Sequence, residues 1–188
     1  MNKIKRLGQC MGIFAINLAF IAPAHSNLAS VRIPTSSNRT CQQSIDFVRR
    51  ELVSKGAFVP FHPRGTSRER IEPRVSVQNG NFAREYHSYP RNRPHKAEFV
   101  LSGDENRILN VMASPQFLTI LASQIMASCP QVGMVNYQHW WKDNIPVGYF
   151  PDGTARTFTW VDVDDPRLGG WDNRGRQLPS QWGYYFVP

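Results

Sequence analysis

Cysteine placement constrains the fold of this 188-residue chain more tightly than any other feature. Of its three cysteines, Cys10 lies in an N-terminal segment typical of an export signal, which leaves Cys41 and Cys129 in the mature chain. In an oxidising compartment, an even pair of cysteines in a small exported domain forms a disulfide. The sequence therefore predicts a Cys41–Cys129 bridge, with two separate buried thiols as the alternative. A metal site is disfavoured because neither cysteine has a second ligand at Cys-x-x-Cys or Cys-x-x-His spacing.

The N-terminal segment has the three parts of a cleavable signal peptide. Three basic residues without an acid come first, an apolar run over residues 10–22 follows, and Ala24-His25-Ser26 has small residues at both positions that a signal peptidase recognises. A retained membrane anchor is the alternative, but a spanning helix needs about 20 apolar residues, and this run is shorter. We expect residues 1–26 to be removed as a signal peptide, no transmembrane segment to remain, and the protein to reside in the periplasm or outside the cell.

The remaining 162 residues are enough for one domain with a sizeable core. The signal segment holds three of the 22 basic residues and none of the 14 acidic residues, so cleavage lowers the net charge from +8 to +5. Residues 27–39 are polar and rich in serine and asparagine, which is typical of a flexible leader. We expect residues 40–188 to form a single domain.

Two predicted helices place the two cysteines on apolar faces. Thr40 is a suitable cap for a helix over residues 41–55, and Gly56 ends it. A second helix is predicted over residues 114–128, where serine followed by proline is typical of a helix start. A shorter amphipathic helix is predicted over residues 104–112. One apolar stripe runs along each long helix, formed by Cys41, Ile45, Val48 and Leu52 on the first and by Phe117, Leu121, Ile125 and Cys129 on the second.

Alternation of apolar and polar residues predicts strands in the middle of the chain. Residues 70–78 alternate in this way, Asn79-Gly80 is a two-residue hairpin signal, and residues 82–89 are the predicted return strand. Shorter strands are predicted at residues 57–61 and 97–101.

The last third of the chain has the pattern of β structure. Residues 132–141, 147–150 and 155–163 are predicted strands, and the last two flank a run of turn residues, Pro151-Asp152-Gly153-Thr154. Residues 167–188 are rich in glycine, proline and tryptophan and predict an irregular arm over the sheet. The predicted fold class is α+β, with two to three helices packed on an antiparallel sheet, a C-terminal meander and an irregular tryptophan-rich arm.

The strongest charge pattern lies between residues 62 and 96. This segment has a net charge of +5, equal to that of the whole mature chain, and seven of its eight basic residues are arginine. The planar guanidinium group suits carboxylate, phosphate and sulfate. The alternative is a solvated loop whose charges keep an edge hairpin from aggregating. The candidate anion-binding residues are Arg64, Arg68, Arg70, Arg74, Arg84, Arg91, Arg93 and Lys96.

Export disfavours nucleic acid as the partner of this segment, although basic residues mixed with aromatics are typical of nucleic-acid binding. We expect an acidic polysaccharide, a lipid headgroup or an acidic protein instead. The C-terminal aromatic residues suit either an exposed platform or core packing. These residues are Trp140, Trp141, Trp160, Trp171, Trp182, Tyr184, Tyr185 and Phe186.

Catalytic motifs are not evident in the sequence, which lacks Gly-x-Ser-x-Gly, His-Glu-x-x-His and a phosphate-binding glycine loop. Cys129 with His139 is a formal nucleophile and base, but an apolar helix end suits a structural bridge better. A glycan hydrolase needs paired carboxylates, for which the acidic clusters are Asp104 with Glu105 and residues 162–165. The sequence therefore favours a non-enzymatic binding or interaction protein without a cofactor or metal. A cell-envelope enzyme such as a glycan hydrolase and a structural envelope component are the alternatives.

Several structural motifs accompany the signal peptide within residues 40–163. They are Ser114-Pro115-Gln116-Phe117-Leu118, Ser128-Cys129, Val132-Gly133-Met134-Val135 and Gly148-Tyr149-Phe150-Pro151-Asp152-Gly153. Together they resemble small exported proteins of uncharacterised function encoded by cyanobacteria. This resemblance implies a bacterial, exported protein and carries no particular activity.

Overall fold

A six-stranded mixed sheet lies between a layer of helices and a layer of aromatic side chains. The computed structural model describes residues 28–57, 75–80, 82–139, 143–162, 165–168, 173–174, 176 and 178–185, so the predicted signal peptide lies outside the described residues. In chain order the elements are β1 (Ser30–Arg32), α1 (Cys41–Ser54), β2 (Val75–Asn79), α2 (Phe82–Glu85), β3 (Tyr86–His87), β4 (His95–Leu101), α3 (Glu105–Met112), α4 (Pro115–Ser128), β5 (Val132–His139), β6 (Asp143–Tyr149), β7 (Thr154–Thr157), β8 (Thr159–Trp160), a 3₁₀ helix (Pro166–Leu168), β9 (Ser180–Gln181) and β10 (Tyr184–Tyr185).

The strands of the main sheet lie in the order β1–β7–β6–β5–β4–β2. The predicted C-terminal meander is confirmed, because β5, β6 and β7 pair antiparallel in chain order. β4 and β5 are parallel instead, since α3 and α4 connect them across one face of the sheet. The predicted α+β class is confirmed, with this one parallel pair in an otherwise antiparallel sheet of described strands.

The helical side of the sheet carries the main core. The three predicted helices are confirmed, and their apolar stripes bury Val48, Leu52 and Ile125 completely. The predicted Cys41–Cys129 disulfide is present, with 4.8 Å between the Cα atoms, and joins the start of α1 to the end of α4. Its ends are 88 residues apart, and closing a loop of that length stabilises a fold by roughly 4–5 kcal/mol in the chain-entropy model.

The length and hydropathy of the described helices decide whether any of them could form a membrane span. Among the described residues, no single helix has the length and hydropathy of a membrane span; α3 and α4 reach them only together, across a 77° bend.

Residues 30–32 form an edge strand, so the prediction of a flexible leader over residues 27–39 is wrong for this part. β1 pairs antiparallel with β7, and Ala29 and Ile33 on either side of it are buried. The Ala29 backbone N–H donates to Thr157 Oγ1, and the Thr157 N–H donates to the Ala29 carbonyl. Alternate residues of a strand face the same side, so apolar side chains at positions 29, 31 and 33 suffice to attach a polar segment to the core.

The hairpin predicted at Asn79-Gly80 is also wrong. β2 pairs with β4, and residues 82–85 form the short helix α2 instead of a return strand. The Gly80 N–H donates to the Pro94 carbonyl, which joins the end of β2 to the approach to β4. β4 buries alternate side chains against the helices, whereas Phe82 packs on the opposite face of the sheet. Long-range packing therefore outweighs the local turn signal.

Several other predicted strands have different bounds. The strand predicted at residues 97–101 begins at His95, and the one predicted at residues 147–150 begins at Asp143. The strand predicted over residues 155–163 is divided at Phe158 into β7 and β8. Ala57 is buried but is not in a strand, and residues 58–61, 70–74 and 140–141 lie outside the described residues.

The face of the sheet opposite the helices is covered by a second core, here called the aromatic cluster. Its buried members are Phe82, Met134, Phe158 and Trp182, and Tyr86, Tyr89, Phe150 and Tyr185 pack against them. Gly148 makes this packing possible, because a Cβ atom there would lie 2.2 Å from the Phe158 ring. The Trp182 indole N–H donates to the Tyr149 carbonyl at 3.0 Å. The described part of the predicted C-terminal arm thus lies over the sheet, with β9 and β10 as short strands.

Candidate functional site

The described part of the arginine-rich segment contains two kinds of cation. Arg93 and Lys96 are engaged by other groups of the protein, whereas Arg84 and Arg91 are exposed. The other four predicted anion-binding residues, Arg64, Arg68, Arg70 and Arg74, lie outside the described residues.

Arg93 joins the end of α4 to the start of β5. Its Nη1 atom donates to the carbonyls of Met126 and Val132, at 3.0 and 3.1 Å. The guanidinium carbon lies 4.0 Å from the centroid of the Tyr149 ring, a cation–π distance. Burial lowers the pKa of Arg93, and the neighbouring Tyr149 partly offsets this effect. Gly133 leaves room for the segment, since a Cβ atom there would lie 2.4 Å from the Arg93 carbonyl oxygen.

Lys96 belongs to a polar row on the face of the sheet opposite the helices. Its Nζ atom lies 3.4 Å from Glu98 Oε1, and the Asn136 amide also donates to that oxygen, at 3.3 Å. Both charged side chains are only 21% exposed. The Lys96 charge is therefore matched within the protein, and a partner would have to compete with Glu98 for it.

Arg84 and Arg91, here called the exposed arginines, form no ion pair with another described residue. Arg84 lies between Phe82 and Tyr86, whose rings both belong to the aromatic cluster. Arg91 lies in a turn closed by a hydrogen bond from the Arg93 N–H to the Pro90 carbonyl, at 2.8 Å. Buried or partly buried residues thus flank both exposed arginines.

A cleft that sequence reasoning missed lies where α1, α3 and α4 meet. It is open, has a volume of about 360 Å³, and is here called the helical cleft; its lining residues are Lys55, Arg107, Asn110, Val111, Ser114 and Phe117. Lys55 and Arg107 are far apart in sequence and lie outside the arginine-rich segment. The helix-end signals at Gly56 and Ser114-Pro115 were visible in the sequence, but nothing local indicates that these two ends meet.

Two of the acidic residues considered for catalysis, Asp104 and Asp165, have structural partners. Asp104 Oδ1 accepts a hydrogen bond from the Arg107 backbone N–H and caps α3. Arg167 pairs with Asp165, and its hydrogen bonds lower the pKa of that carboxyl to about 2. Cys129 is oxidised in the disulfide and is therefore not available as a nucleophile for His139. Within the described residues, no group of three His, Cys, Asp or Glu side chains is placed to hold a metal ion.

The described C-terminal aromatics are divided between core and surface. Trp182 is 6% exposed and belongs to the aromatic cluster, whereas Trp160 on β8 is 54% exposed. Burial also raises the pKa of Tyr86 in the cluster, with Glu85 and Tyr185 adding to the effect. Trp140, Trp141, Trp171 and Phe186 lie outside the described residues.

No protein-family model, curated protein or solved structure matches this chain.

Proposed function

We propose that this protein is an exported, non-enzymatic binding protein of the bacterial cell envelope that holds an anionic partner through its exposed arginines. The observation that carries the proposal is the contrast within one segment. Arg93 and Lys96 are matched by groups of the protein, whereas Arg84 and Arg91 face solvent without a carboxylate partner among the described residues. A structural role accounts for Arg93 and Lys96 but not for Arg84 and Arg91.

The backbone that carries the exposed arginines supports a binding role. Phe82 is 1% exposed, and its ring centroid lies 5.3 Å from that of Trp182 and 5.9 Å from that of Tyr89. Arg93 fixes the far end of the segment through its two hydrogen bonds to carbonyls. A held backbone loses little conformational freedom on binding, so more of the interaction energy is retained as affinity.

The disulfide supports the cellular compartment that the proposal assigns to the protein. Stable disulfides form in oxidising compartments and are rare in the cytosol, and this one joins two helices of the main core. The chain therefore folds in an oxidising environment. Placement in the periplasm or outside a bacterial cell is part of the proposal and draws on the signal-peptide pattern and the resemblance to exported cyanobacterial proteins.

The test compares two variants that lose the same charge. In Arg84→Gln with Arg91→Gln, we expect weaker retention on an immobilised acidic polysaccharide and less co-sedimentation with anionic vesicles. The matched control is Arg32→Gln with Arg50→Gln, which removes two exposed arginines from β1 and α1. The two supports distinguish a polysaccharide from a lipid surface as the partner. Equal loss in both variants would show that net charge, not the exposed arginines, determines retention, and the proposal would be dropped.

A further inference from the structure

The helical cleft is separate from the exposed arginines and brings two cations together from different elements. Lys55 follows the last turn of α1, and Arg107 lies in α3. Neither forms an ion pair with another described residue. The nearby Asp104 carboxylate is occupied by the Arg107 backbone N–H, at 3.0 Å, and does not pair with its guanidinium group.

The end of α1 positions Arg107. The Gly56 N–H donates to Val53 and the Ala57 N–H to Leu52, which together form a Schellman cap. This cap requires the left-handed conformation of Gly56, whose φ is +75°. A Cβ atom at Gly56 would lie 2.5 Å from Arg107 Cδ and 2.9 Å from Nη1, so the guanidinium arm lies directly on the bare glycine backbone.

The start of α4 adds backbone donors to the same cleft. Ser114 is the N-cap residue, but its side chain makes no cap hydrogen bond and donates instead to the Asn110 carbonyl, at 2.9 Å. Among the described residues, the backbone N–H groups of Gln116 and Phe117 have no hydrogen-bond acceptor. Unsatisfied N–H groups at a helix start attract anions.

Val111 and Phe117 form the apolar part of the cleft lining, which Asn110 completes. Val111 is buried, and the half-buried Phe117 ring lies 6.0 Å from Lys55 Nζ. An anion bound between the two cations would therefore have an aromatic face beside it. A volume of about 360 Å³ lies at the small end of the range for small-molecule sites.

We propose that the helical cleft binds a small molecule in which an oxyanion is attached to a flat apolar group. Arg107 and Lys55 contact the oxyanion, the amides at the start of α4 donate to it, and Phe117 packs against the apolar group. The open cleft is lined by two cations without carboxylate partners among the described residues and by Phe117, which contributes an unsatisfied amide and an aromatic ring. Binding there is independent of the exposed arginines and of any macromolecular partner.

Phenyl phosphate is the probe, titrated into the isotope-labelled, disulfide-bonded protein while backbone amide resonances are followed. We expect saturable shifts at Gln116 and Phe117, weaker binding of inorganic phosphate, and no saturable shift with phenol. Arg107→Gln and Lys55→Gln should each weaken phenyl phosphate binding about tenfold, as expected for one lost charge-assisted hydrogen bond. Arg107→Lys should retain part of the affinity, because it keeps the charge and loses the planar fork.

Arg32→Gln removes an exposed arginine from β1, is the matched control and should leave the phenyl phosphate affinity unchanged. The amide spectrum of each variant reports whether it is folded. Absence of saturable shifts at the start of α4 would overturn the proposal. Wild-type affinity for phenyl phosphate in the folded Arg107→Gln and Lys55→Gln variants would also overturn it. Equal affinity for phosphate and phenyl phosphate would overturn the role given to Phe117. None of these outcomes depends on retention by a polysaccharide or vesicles.

Discussion

Arg91 and Arg93 lie two residues apart and have different surroundings. Arg91 is exposed in a turn, whereas Arg93 donates to two backbone carbonyls and stacks on Tyr149. Removing a group that satisfies buried carbonyls leaves them without partners, which is costly in a protein interior. The two arginines therefore separate the structural role from the binding role within one stretch of chain.

Arg93→Gln should lower the free energy of unfolding by about 2–3 kcal/mol, because it removes charge-assisted hydrogen bonds and a cation–π contact. Arg91→Gln should change it by less than about 0.5 kcal/mol, as is usual for an exposed side chain. Urea unfolding followed by tryptophan fluorescence measures both. If the two variants were equally stable, Arg93 would not have the structural role described above.

Burial of Tyr137 should make the protein less stable at high pH. Its hydroxyl donates to the Leu118 carbonyl at 3.1 Å, and complete burial raises its pKa well above the usual value of 10.0. Above about pH 10 the unfolded chain loses the proton while the folded chain keeps it, so the free energy of unfolding should fall by up to about 1.4 kcal/mol per pH unit. The free energy of unfolding of Tyr137→Phe should fall less steeply with pH than that of the wild type. Identical slopes for the two proteins between pH 9 and 11.5 would contradict the effect assigned to Tyr137.

At the scale of elements, β1 shows how a polar segment becomes part of a sheet. Ile33 is 9% exposed and Leu28, five residues earlier, is 59% exposed, although both lie in the predicted flexible leader. The difference arises because Ile33 shares the buried face of β1 with Ala29, while Leu28 lies beyond the hydrogen bonds that join the strand to β7.

Ile33→Ala should therefore destabilise the protein by about 2 kcal/mol, the low end for truncation of a buried aliphatic side chain. Leu28→Ala is the matched control and should have little effect, because its side chain is already in solvent. Thermal unfolding of both variants tests this difference. Equal melting temperatures would mean that residues 28–33 are a flexible leader after all.

The elements that the sequence predicted correctly have strong local signals. Apolar stripes and caps located α1 and α4, and the turn residues before Thr154 located the meander. The parallel pairing of β4 with β5 and the short helix at Phe82 depend on contacts distant in sequence, which local patterns do not contain. The exposed arginines lay within the predicted charged segment, whereas the helical cleft depends on two helix ends meeting in space.

At the scale of the whole molecule, the Cys41–Cys129 disulfide joins two of the helices that contribute to the main core. Cys129 is 3% exposed, so the bridge lies within the packed helical layer. The second core, on the other face of the sheet, contains no cysteine among its members. The bridge therefore acts on the fold as a whole by restricting the unfolded chain.

Reduction should lower the free energy of unfolding by roughly 4–5 kcal/mol, or less if the unfolded chain retains structure. Urea unfolding with and without a reductant measures this loss. Cys41→Ala with Cys129→Ala is the control and should show no further change with reductant. A wild-type protein that is insensitive to a reductant known, by intact mass, to have opened the bridge would contradict this expectation.

The salt dependence of binding to an acidic polysaccharide tests the central claim most directly. If the exposed arginines contact the anion, the logarithm of the affinity should fall linearly with the logarithm of the salt concentration, by analogy with counterion release from nucleic acids. The magnitude of this slope should be smaller by roughly 1–2 for Arg84→Gln with Arg91→Gln than for the wild type. Arg32→Gln with Arg50→Gln should keep the wild-type slope. A slope that is the same for all three proteins would contradict the proposed function.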